Sequence, residues 1–465
     1  MAINANKRST RSLFIFRRDL RCDDNLGFLH ALAMSERVIP CVFVDSLHDQ
    51  STGDNALQFM HQALDDLDEA LHKKGGRLYF FQGPPVTIIK KIKASIGLDA
   101  VFINRAYTPH GRTNEEQLAR VCAQQKIELH CYDDAVLVTP EIITKRSGGY
   151  YTVFTPFCKA LLQHRPEAPV VCKQTNFYDK KLAGALASIQ GCCTYKKNKH
   201  LAVHASRKHV LALLKKIANQ ASYDRQRNLP ALDATTHLSA YIAVGLCSVR
   251  EVYHAVATTL GAYHTLIKQL CWHDFFISIA LHHPEVFKGA FHKKYNKLAW
   301  KNSRADFKRW CEGTTGFPIV DAGMRELNAT GFMHNRLRMI VGSFLVKDLH
   351  IDWRWGEAYF AEKLIDYDPA VNNGNWQWIA STGCDAQPYF RIFNPWLQQK
   401  TYDRDCAYIK RWIPELSAVP SKEIHAWATM YSKHAGVYHE PMVDHAKESG
   451  RTKAMYKKAA ARSSE

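Results

Sequence analysis

The first third of the chain alternates short apolar runs, rich in β-branched and aromatic residues, with segments of helical periodicity. The apolar runs lie at residues 12–17, 38–45, 77–82, 100–105 and 129–132. Between two of them, Leu57, Met60, Leu64, Leu67 and Leu71 recur at helical spacing before a glycine pair at 75–76. This alternation predicts a Rossmann-like parallel sheet with helices on both faces. The first strand-to-helix turn, RRDLR, contains no G-x-G-x-x-G motif for a dinucleotide.

The pattern changes beyond residue 138. Residues 139–205 show weak periodicity and contain Pro166 and Pro169, which is typical of an interdomain connection. Further on, helical spacing dominates, as in Val210, Leu213 and Ile217. We therefore expect an α/β domain at 10–138, a linker at 139–205, an all-α domain at 206–450 and a basic, helical end at 451–465.

Composition favours a folded chain and is compatible with a polyanionic partner. Of the 465 residues, 46% are hydrophobic and 23% are charged, close to globular averages. Lys and Arg total 62 against 44 Asp and Glu, a net charge of +18. Such a charge suits nucleic acid, because bound cations release phosphate counterions. From composition alone, a solubilising surface explains the charge equally well.

Cysteine spacing and hydropathy bear on location. The thirteen cysteines include no Cys-x-x-Cys pair, which argues against a zinc site or a disulfide framework. No apolar stretch is long enough for a signal-peptide core or a membrane span. We expect a cytoplasmic monomer that needs no metal, membrane or protein partner.

Two polar segments carry candidate chemistry. Thr235, Thr236 and Ser239 precede a helical pattern, where hydroxyl and main-chain N–H groups can hold a phosphate or simply cap the helix. In residues 331–339, Asn335 and Met339 would share one helix face, while the arginine at 338 points elsewhere. If that arginine is buried, it needs a carboxylate partner.

A third polar segment spans residues 364–378. It contains Asp366 and Asp368, followed by Asn-Asn-Gly, which does not match an amphipathic helix, so we expect a polar loop around a ligand. The closing Glu of a calcium-binding loop is absent. All ten tryptophans lie between Trp272 and Trp427, and this concentration suits a planar cofactor, stacked bases or electron transfer.

Taken in order, these segments resemble the photolyase/cryptochrome flavoproteins, and among them the bacterial class I cyclobutane pyrimidine dimer photolyases. The resemblance covers nearly the whole chain and rests on blocks at 16–25 (FRRDLRCDDN), 153–157 (VFTPF), 235–239 (TTHLS), 316–324 (GFPIVDAGM), 333–339 (MHNRLRM), 372–378 (NNGNWQW) and 389–395 (YFRIFNP). It implies an antenna domain, an all-α FAD-binding domain and light-dependent repair of pyrimidine dimers in double-stranded DNA.

The resemblance implies a folded FAD in the helical domain. The residues that it places around FAD are Tyr223, Thr235, Thr236, His237, Leu238, Ser239, Trp272, His273, Arg338, Asp366, Tyr367, Asp368 and Asn372. By this match Arg338 and Asp366 pair beside the isoalloxazine ring, and Asn372 presents its amide to flavin N5. The protein's share in such chemistry is position and electrostatics.

The resemblance also assigns the substrate and electron-transfer residues. Photolyases flip the damaged bases out of the duplex, and the residues implied to contact the lesion or DNA are Arg227, Gln269, Trp272, Asn335, Arg336, Trp378, Arg391 and Gln398. Catalytic positions fall on Asn372, Gln269 and Met339. Electrons would pass along Trp376, Trp353 and Trp300, whereas Trp310 and Trp355 would serve packing.

Several positions depart from the family pattern. Gln269 stands where dimer photolyases commonly have Glu and supplies no titratable proton, so we expect slower splitting. Six-four photolyases often have Gln there, but they carry His at the positions of Asn335 and Met339. His237 replaces an Arg on the phosphate side. Residues 109–112 (PHGR) resemble the patterns of deazaflavin- or flavin-binding antenna domains more than those of folate-binding ones. We expect a second chromophore, which is a folate, a deazaflavin or a flavin.

Other functions compete with dimer repair. A blue-light cryptochrome photoreceptor often has a longer C-terminal extension than residues 446–465. A DASH-type single-strand enzyme commonly has Gln near the position of Met339. A nucleic-acid binder without flavin would purify as a colourless protein. A six-four photolyase is suggested only by Gln269.

Overall fold

Five parallel strands form the sheet that the apolar runs predict. The computed structural model describes residues 9–46, 52–190, 192 and 194–461. Its strands are β1 Ser9–Phe16, β2 Ser35–Phe43, β3 Tyr79–Phe81, β4 Ala100–Asn104 and β5 Glu128–Tyr132. They are hydrogen-bonded in the order β3-β2-β1-β4-β5, and Leu13 of β1 aligns with Ile39 on one side and Val101 on the other. This doubly wound order confirms the Rossmann-like α/β prediction.

Helices make up most of the other described elements. The first are α1 Leu26–Met34, α2 Asp54–Lys73, α3 Pro85–Ile96, α4 Pro109–Gln124, α5 Phe154–Leu161, α6 Arg207–Lys215, α7 Tyr223–Gln226, α8 Ser239–Ala243, α9 Val249–Leu260 and α10 Thr265–His282. The others are α11 Arg304–Glu312, α12 Pro318–Thr330, α13 Asn335–Ser343, α14 Trp353–Lys363, α15 Pro369–Ile379, α16 Pro395–Tyr402, α17 Ala407–Trp412, α18 Ser421–His425, α19 Trp427–Met430 and α20 His445–Ala461. A π-helical turn, Phe344–Asp348, follows α13. None of the helices described is long and apolar enough to cross a bilayer.

The chain divides into two compact units. The sheet unit comprises residues 1–197, 203–219 and 236–282, and the helical unit comprises residues 198–202, 220–235 and 283–465. Residues 236–282, which the sequence pattern assigns to the all-α domain, therefore cluster with the sheet. The functional boundaries at 138, 205 and 450 stay a prediction.

Side-chain alternation along β1 explains how the sheet is covered on both faces. Leu13 and Ile15 pack with apolar residues of α3 and α4. Phe14 and Phe16 point the other way, where the ring of Phe28 in α1 lies 5.1 Å from each of their rings. Because successive strand residues point to opposite faces, a strand buried on both sides needs a continuous apolar run.

Four buried charges lie close to the end of β1 in the sheet unit. Arg21 donates to Asp134 at 2.6 Å, while Arg250 donates to Asp134 at 2.7 Å and to Asp24 at 3.1 Å. All four side chains are at most 5% exposed. Burial alone would raise the pKa of Asp134, but the two arginines outweigh it and hold that pKa below its usual range. The 16–25 motif therefore ties the sheet to α9.

The helical unit has a core of its own. It is built from apolar residues of α12, α13, α14 and α15 and of the π-helical turn. Trp310 is fully buried in it and donates its indole N–H to the carbonyl oxygen of Val341 at 3.0 Å. At its C-terminal end, α20 buries Thr452 and Tyr456 completely. The basic segment is therefore helical over residues 451–461, and Thr452, Tyr456 and Ala459 bury one side of it.

Candidate active site

Arg338 and Asp366 form an ion pair in the helical unit. Arg338 on α13 donates to the Asp366 carboxylate at 2.8 Å and to the carbonyl oxygen of Met333 at 2.8 Å. The Asp366 side chain is 4% exposed and that of Arg338 is 25% exposed. A carboxylate so desolvated depends on its cation. The structure thus brings together the two residues that the sequence analysis pairs.

The pair has unused hydrogen-bonding capacity. The second carboxylate oxygen of Asp366 is buried and has no hydrogen-bond partner among the residues described. The Nη1 atom of Arg338 donates to no atom of the same set of residues. Leaving a buried acceptor unpaired is costly. The free Asp366 oxygen can accept a hydrogen bond, and the neighbouring Arg338 can donate one. Together they match a ligand edge on which an N–H group lies next to a carbonyl oxygen.

The segment after Asp366 is a helix, so the prediction of a polar loop is wrong for residues 369–378. Asp368 accepts the main-chain N–H of Val371 at 2.9 Å, and a proline occupies the first turn of α15, two features that start helices strongly. Of the polar residues that argued against a helix, Asn372 and Asn373 are buried and hydrogen-bonded. Asn373 and Gln377 both donate to the carbonyl oxygen of Val286.

Asn372 is positioned by α14. Its side-chain N–H donates to the carbonyl oxygen of Glu357 at 3.1 Å, and the Glu357 carboxyl group accepts from Asn373 at 2.9 Å. Burial raises the pKa of Glu357 to about 7, although the hydrogen bond from Asn373 opposes this shift. Sequence reasoning missed Glu357, because one Glu within a helix carries no distinguishing signal. Only the packing of α14 on α15 reveals it.

Two of the three tryptophans expected to carry electrons are buried in the helical core. Trp376 and Trp353 are each 3% exposed. Trp376 fits so closely against Gly356 of α14 that any side chain there would overlap its ring. Trp300 is half-buried, and its ring centre lies 6.4 Å from that of Tyr456.

Residues expected to contact DNA or the lesion lie at the surface of α13. Asn335 is exposed, and its amide lies 3.9 Å from the sulfur of Met339, so the two share one helix face as predicted. Arg336 stacks over the ring of Tyr402 at 4.3 Å and donates to Asn228 at 2.8 Å. These contacts hold the Arg336 side chain in one orientation.

Four further residues of this set are spread over other elements of the helical unit. Arg391 is exposed, whereas Arg227, Trp378 and Gln398 are partly buried. The Arg227 guanidinium lies 5.9 Å from the ring centre of Tyr223, a residue expected near FAD. Because α15 is a helix, Trp378 diverges from the buried tryptophan two positions earlier and stays partly exposed.

Gln269, Trp272 and His273 lie on α10 in the sheet unit. Trp272 stacks on Phe154 of the VFTPF block, with ring centres 3.6 Å apart and planes within 4°. Phe154 therefore covers one face of the Trp272 indole, so the VFTPF block packs against α10. His273 Nδ1 lies 3.1 Å from the buried carboxylate of Asp274. Gln269 is half-buried and lies one helical turn before Trp272.

The hydroxyl-rich segment does not cap a helix through its side chains. The residue before α8 is Leu238, which makes no side-chain cap. His237 adopts a φ of 51°, a conformation that costs non-glycine residues roughly 1–2 kcal/mol. Thr236 Oγ1 accepts the N–H of Leu238 at 3.4 Å. Thr235 belongs to the helical unit, and residues 236–239 belong to the sheet unit.

The antenna-like residues 109–112 have a structural explanation. Thr108 caps α4 by accepting the N–H of Gly111 at 3.3 Å. Ala106 lies so close to Gly111 that any side chain there would overlap it. Packing thus requires this glycine whichever chromophore is bound.

The groups in the helical unit fit the cofactor that the resemblance implies. FAD carries a uracil-like ring edge on which carbonyl oxygens flank an imide N–H. The unpaired Asp366 oxygen can accept that N–H, and Arg338 can donate to a carbonyl beside it. Asn372 adds a positioned amide. Among the residues that the structure describes, no cluster of His, Cys, Asp and Glu is arranged to hold a metal ion.

Two protein-family models match the chain. Residues 12–173 match DNA photolyase, and residues 266–458 match the FAD binding domain of DNA photolyase. The deoxyribodipyrimidine photo-lyase of Alkalihalophilus pseudofirmus is 34% identical, with 95% of this chain and 97% of the relative aligned. That of Vibrio cholerae is 35% identical over 96% and 98% of the two chains.

Solved structures agree with these matches. A class III photolyase from Agrobacterium tumefaciens superposes with a TM-score of 0.90 at 32% identity, covering 99% of this chain and 100% of the other. An archaeal photolyase from Sulfolobus tokodaii, which holds two FAD molecules, gives 0.86 at 35% identity over 97% and 100%. A Synechocystis cryptochrome gives 0.86 at 28% identity over 97% and 100%. On its full-length similarity and its two family matches, this chain belongs to the DNA photolyase family.

Proposed function

We propose that this protein is a deoxyribodipyrimidine photo-lyase that binds FAD and splits cyclobutane pyrimidine dimers in DNA under blue light. The observation that carries the proposal is the Arg338–Asp366 pair, with its buried unpaired acceptor, in a chain similar over its full length to enzymes of that name. When bound, FAD would supply light-driven electron transfer to the dimer, the chemistry that opens the cyclobutane ring.

The residues of the helical unit bind and orient the ring of FAD. Asp366 would accept an imide N–H of the bound ring, and Arg338 would donate to the neighbouring carbonyl. Burial of the carboxylate excludes water, which strengthens both contacts. Asn372, held through the carbonyl oxygen of Glu357, keeps its amide in a fixed position where it can adjust to a change in ring charge.

The side chains proposed to bind the lesion have no titratable proton. Gln269 can hydrogen-bond a pyrimidine carbonyl without transferring a proton. Trp272 and Trp378 can stack on a flipped base, a contact worth roughly 1–3 kcal/mol. Asn335 and Met339, which share one face of α13, are proposed as further residues of the lesion site.

DNA is held mainly through its phosphates. Arg227, Arg336 and Arg391 are proposed to bind phosphate oxygens, a contact that positions the duplex without reading its sequence. Gln398 adds a neutral polar contact. We also propose that the protein is monomeric, cytoplasmic and associated with the nucleoid through this binding. Gel filtration of the free protein tests the monomer.

Trp376, Trp353 and Trp300 are proposed as the path by which electrons reach a flavin that is not yet reduced. The burial of the first two and the partial exposure of the third support a path from core to surface. The second chromophore is proposed as a folate, a deazaflavin or a flavin. An absorption spectrum of the denatured protein's supernatant distinguishes these three.

A blue-light photoreceptor is the second candidate, because the Synechocystis cryptochrome has the same fold. The two functions differ in their effect on damaged DNA. FAD-loaded protein is illuminated with two oligonucleotides of one sequence, carrying either a cyclobutane dimer or a six-four photoproduct. We expect restoration of the first only. Restoration of the second would make Gln269 the mark of a six-four enzyme, and restoration of neither would favour the photoreceptor.

A further inference from the structure

A basic cavity in the helical unit lies outside every site described above. Its volume is about 420 Å³, within the range of small-molecule sites. Arg451 and Lys458 form one wall, since their spacing places them on one face of α20. Lys297 and Lys301 form another, on either side of the half-buried Trp300.

The cavity carries an excess of positive charge. Lys301 is paired with Asp306 at 2.7 Å, and Arg451 is paired with Glu448 at 2.8 Å. Lys297 and Lys458, in contrast, have no carboxylate within ion-pair distance in the described part of the chain. Two lysines therefore face one concave site without a counter-ion, an arrangement that attracts an anion.

The floor of the cavity is apolar. Ala299, Ala459 and the Met455 side chain line it, beside a cluster in which Tyr456 is fully buried. His350 completes the lining, but its Nε2 lies 2.9 Å from Thr452 Oγ1 and its Nδ1 lies 3.5 Å from the Glu448 carboxylate, so the ring contributes shape to the cavity and no free hydrogen-bonding group. Cations above an apolar floor suit an anion that carries a flat organic group, because the thioether of a methionine packs well on flat rings.

We propose that this cavity binds an organic phosphate of about the size of a mononucleotide. Lys297 and Lys458 hold the phosphate, and the base or another flat group lies on Met455 and the two alanines. A cavity of this size suits a terminal phosphate on a small molecule better than the diester backbone of a convex duplex. The site is separate from the proposed repair reaction and does not depend on it.

Calorimetric titration of the FAD-loaded protein tests the proposal with three probes, AMP, adenosine and inorganic phosphate. We expect AMP to bind more tightly than phosphate, because only AMP reaches the apolar floor, and adenosine not to bind. Lys297→Glu and Lys458→Glu should each weaken AMP binding about tenfold, since each replaces an attraction by a repulsion. Lys453→Glu is the matched control on the exposed side of α20 and should leave binding unchanged.

Four results would overturn the assignment. They are a failure of AMP to bind at millimolar concentration, equal binding of AMP and adenosine, an equal loss in the Lys453→Glu control, and displacement of AMP by undamaged DNA. The milder variants Lys297→Gln and Lys458→Gln, checked by circular dichroism, separate loss of binding from loss of fold. Repair activity is expected to be unchanged in all of these variants, so failure of this proposal and failure of the repair function are distinguishable.

Discussion

At the scale of single residues, the candidate chemistry centres on Asp366, whose second carboxylate oxygen is buried and has no hydrogen-bond partner among the residues described. Asp366 and Arg338 could be paired from the sequence only through the family resemblance, because 28 positions separate them. The unpaired carboxylate oxygen could not be predicted, since it depends on the arrangement of the chain between Met333 and α15. Glu357 could not be predicted either, because its contacts with Asn372 and Asn373 join positions that are distant in the sequence. The local sequence pattern around Glu357 does not show these contacts.

Asp366→Asn tests the ion pair directly. The amide keeps the shape but removes the charge that balances Arg338 and cannot accept as strongly. We expect flavin content after purification to fall severalfold and the free energy of unfolding to fall by about 1–3 kcal/mol. Flavin absorbance per protein and urea denaturation measure these effects. Glu362→Gln, at an exposed carboxylate, is the control, and full flavin content in Asp366→Asn would contradict the proposed role.

Gln269→Glu tests the departure from the family pattern. A carboxyl group adds a titratable proton next to the stacked Trp272, which glutamine cannot supply. We expect a higher quantum yield of dimer splitting with little change in DNA affinity. The yield is obtained from repaired oligonucleotide per photon absorbed. An unchanged yield would show that the substitution is neutral.

At the scale of elements, periodicity predicted what local sequence controls. All five strands lie where the apolar runs placed them, and α2 covers the leucine repeat that begins at Leu57. The strand order β3-β2-β1-β4-β5 is set by pairing between strands that are distant in the sequence. The sequence pattern predicted a Rossmann-like parallel sheet and did not predict this order. The loop prediction at α15 failed because Asn373 and Gln377 point inward and bond to Val286. The prediction assumed that the buried face of a helix is apolar, whereas in α15 the hydrogen-bonded amides of Asn373 and Gln377 are buried on that face.

The charge group beside β1 predicts a contrast between a buried and an exposed ion pair. Asp134→Asn leaves Arg21 and Arg250 buried without a full counter-charge, so we expect a loss of about 3–5 kcal/mol in the free energy of unfolding. Glu141→Gln breaks the exposed pair with Arg105 and should cost less than about 1 kcal/mol. Guanidinium denaturation measures both. Similar losses would refute the buried network as a main support of the sheet unit.

The π-helical turn contains a buried lysine with a distinct pH signature. Lys347 is fully buried, donates to Ser381 Oγ at 3.0 Å and lies 3.9 Å from the ring centre of Tyr456. Burial lowers its pKa to about 7. Between that value and the higher pKa of an unfolded lysine, the unfolded chain binds more protons. This group therefore makes stability rise with pH over that range.

Lys347→Met removes this dependence. We expect the variant to be more stable than the parent protein at pH 7 and the difference to shrink steadily toward pH 10. Urea denaturation at several pH values measures it, with the exposed Lys453→Met as control. A difference that stays constant across this range would contradict a depressed pKa for Lys347.

At the scale of the whole molecule, membership of the DNA photolyase family offers an explanation for the net charge of +18. Composition could not separate a DNA-binding surface from a solubilising one, and the photolyase relatives decide in favour of DNA. A protein held by phosphates should lose affinity steeply as salt rises. The slope of that loss counts the phosphates bound.

Arg391→Gln removes one exposed cation assigned to DNA. We expect the slope of log affinity against log salt to fall by about 0.9, the value for one phosphate contact on duplex DNA. Fluorescence anisotropy with a dimer-containing duplex measures it. Lys453→Gln removes the same charge outside the assigned surface and should leave the slope unchanged. Equal slopes for all three proteins would remove Arg391 from the interface.

We propose that a flavin bound at Asp366 and Arg338 reverses cyclobutane dimers with light. The most direct measurement of this reaction is chromatography of a thymine-dimer oligonucleotide mixed with stoichiometric FAD-loaded protein, before and after blue illumination. We expect conversion to two intact thymines in the light, none in the dark, and little conversion by Asp366→Asn. A dimer that survives illumination while bound to flavin-containing protein would contradict the account.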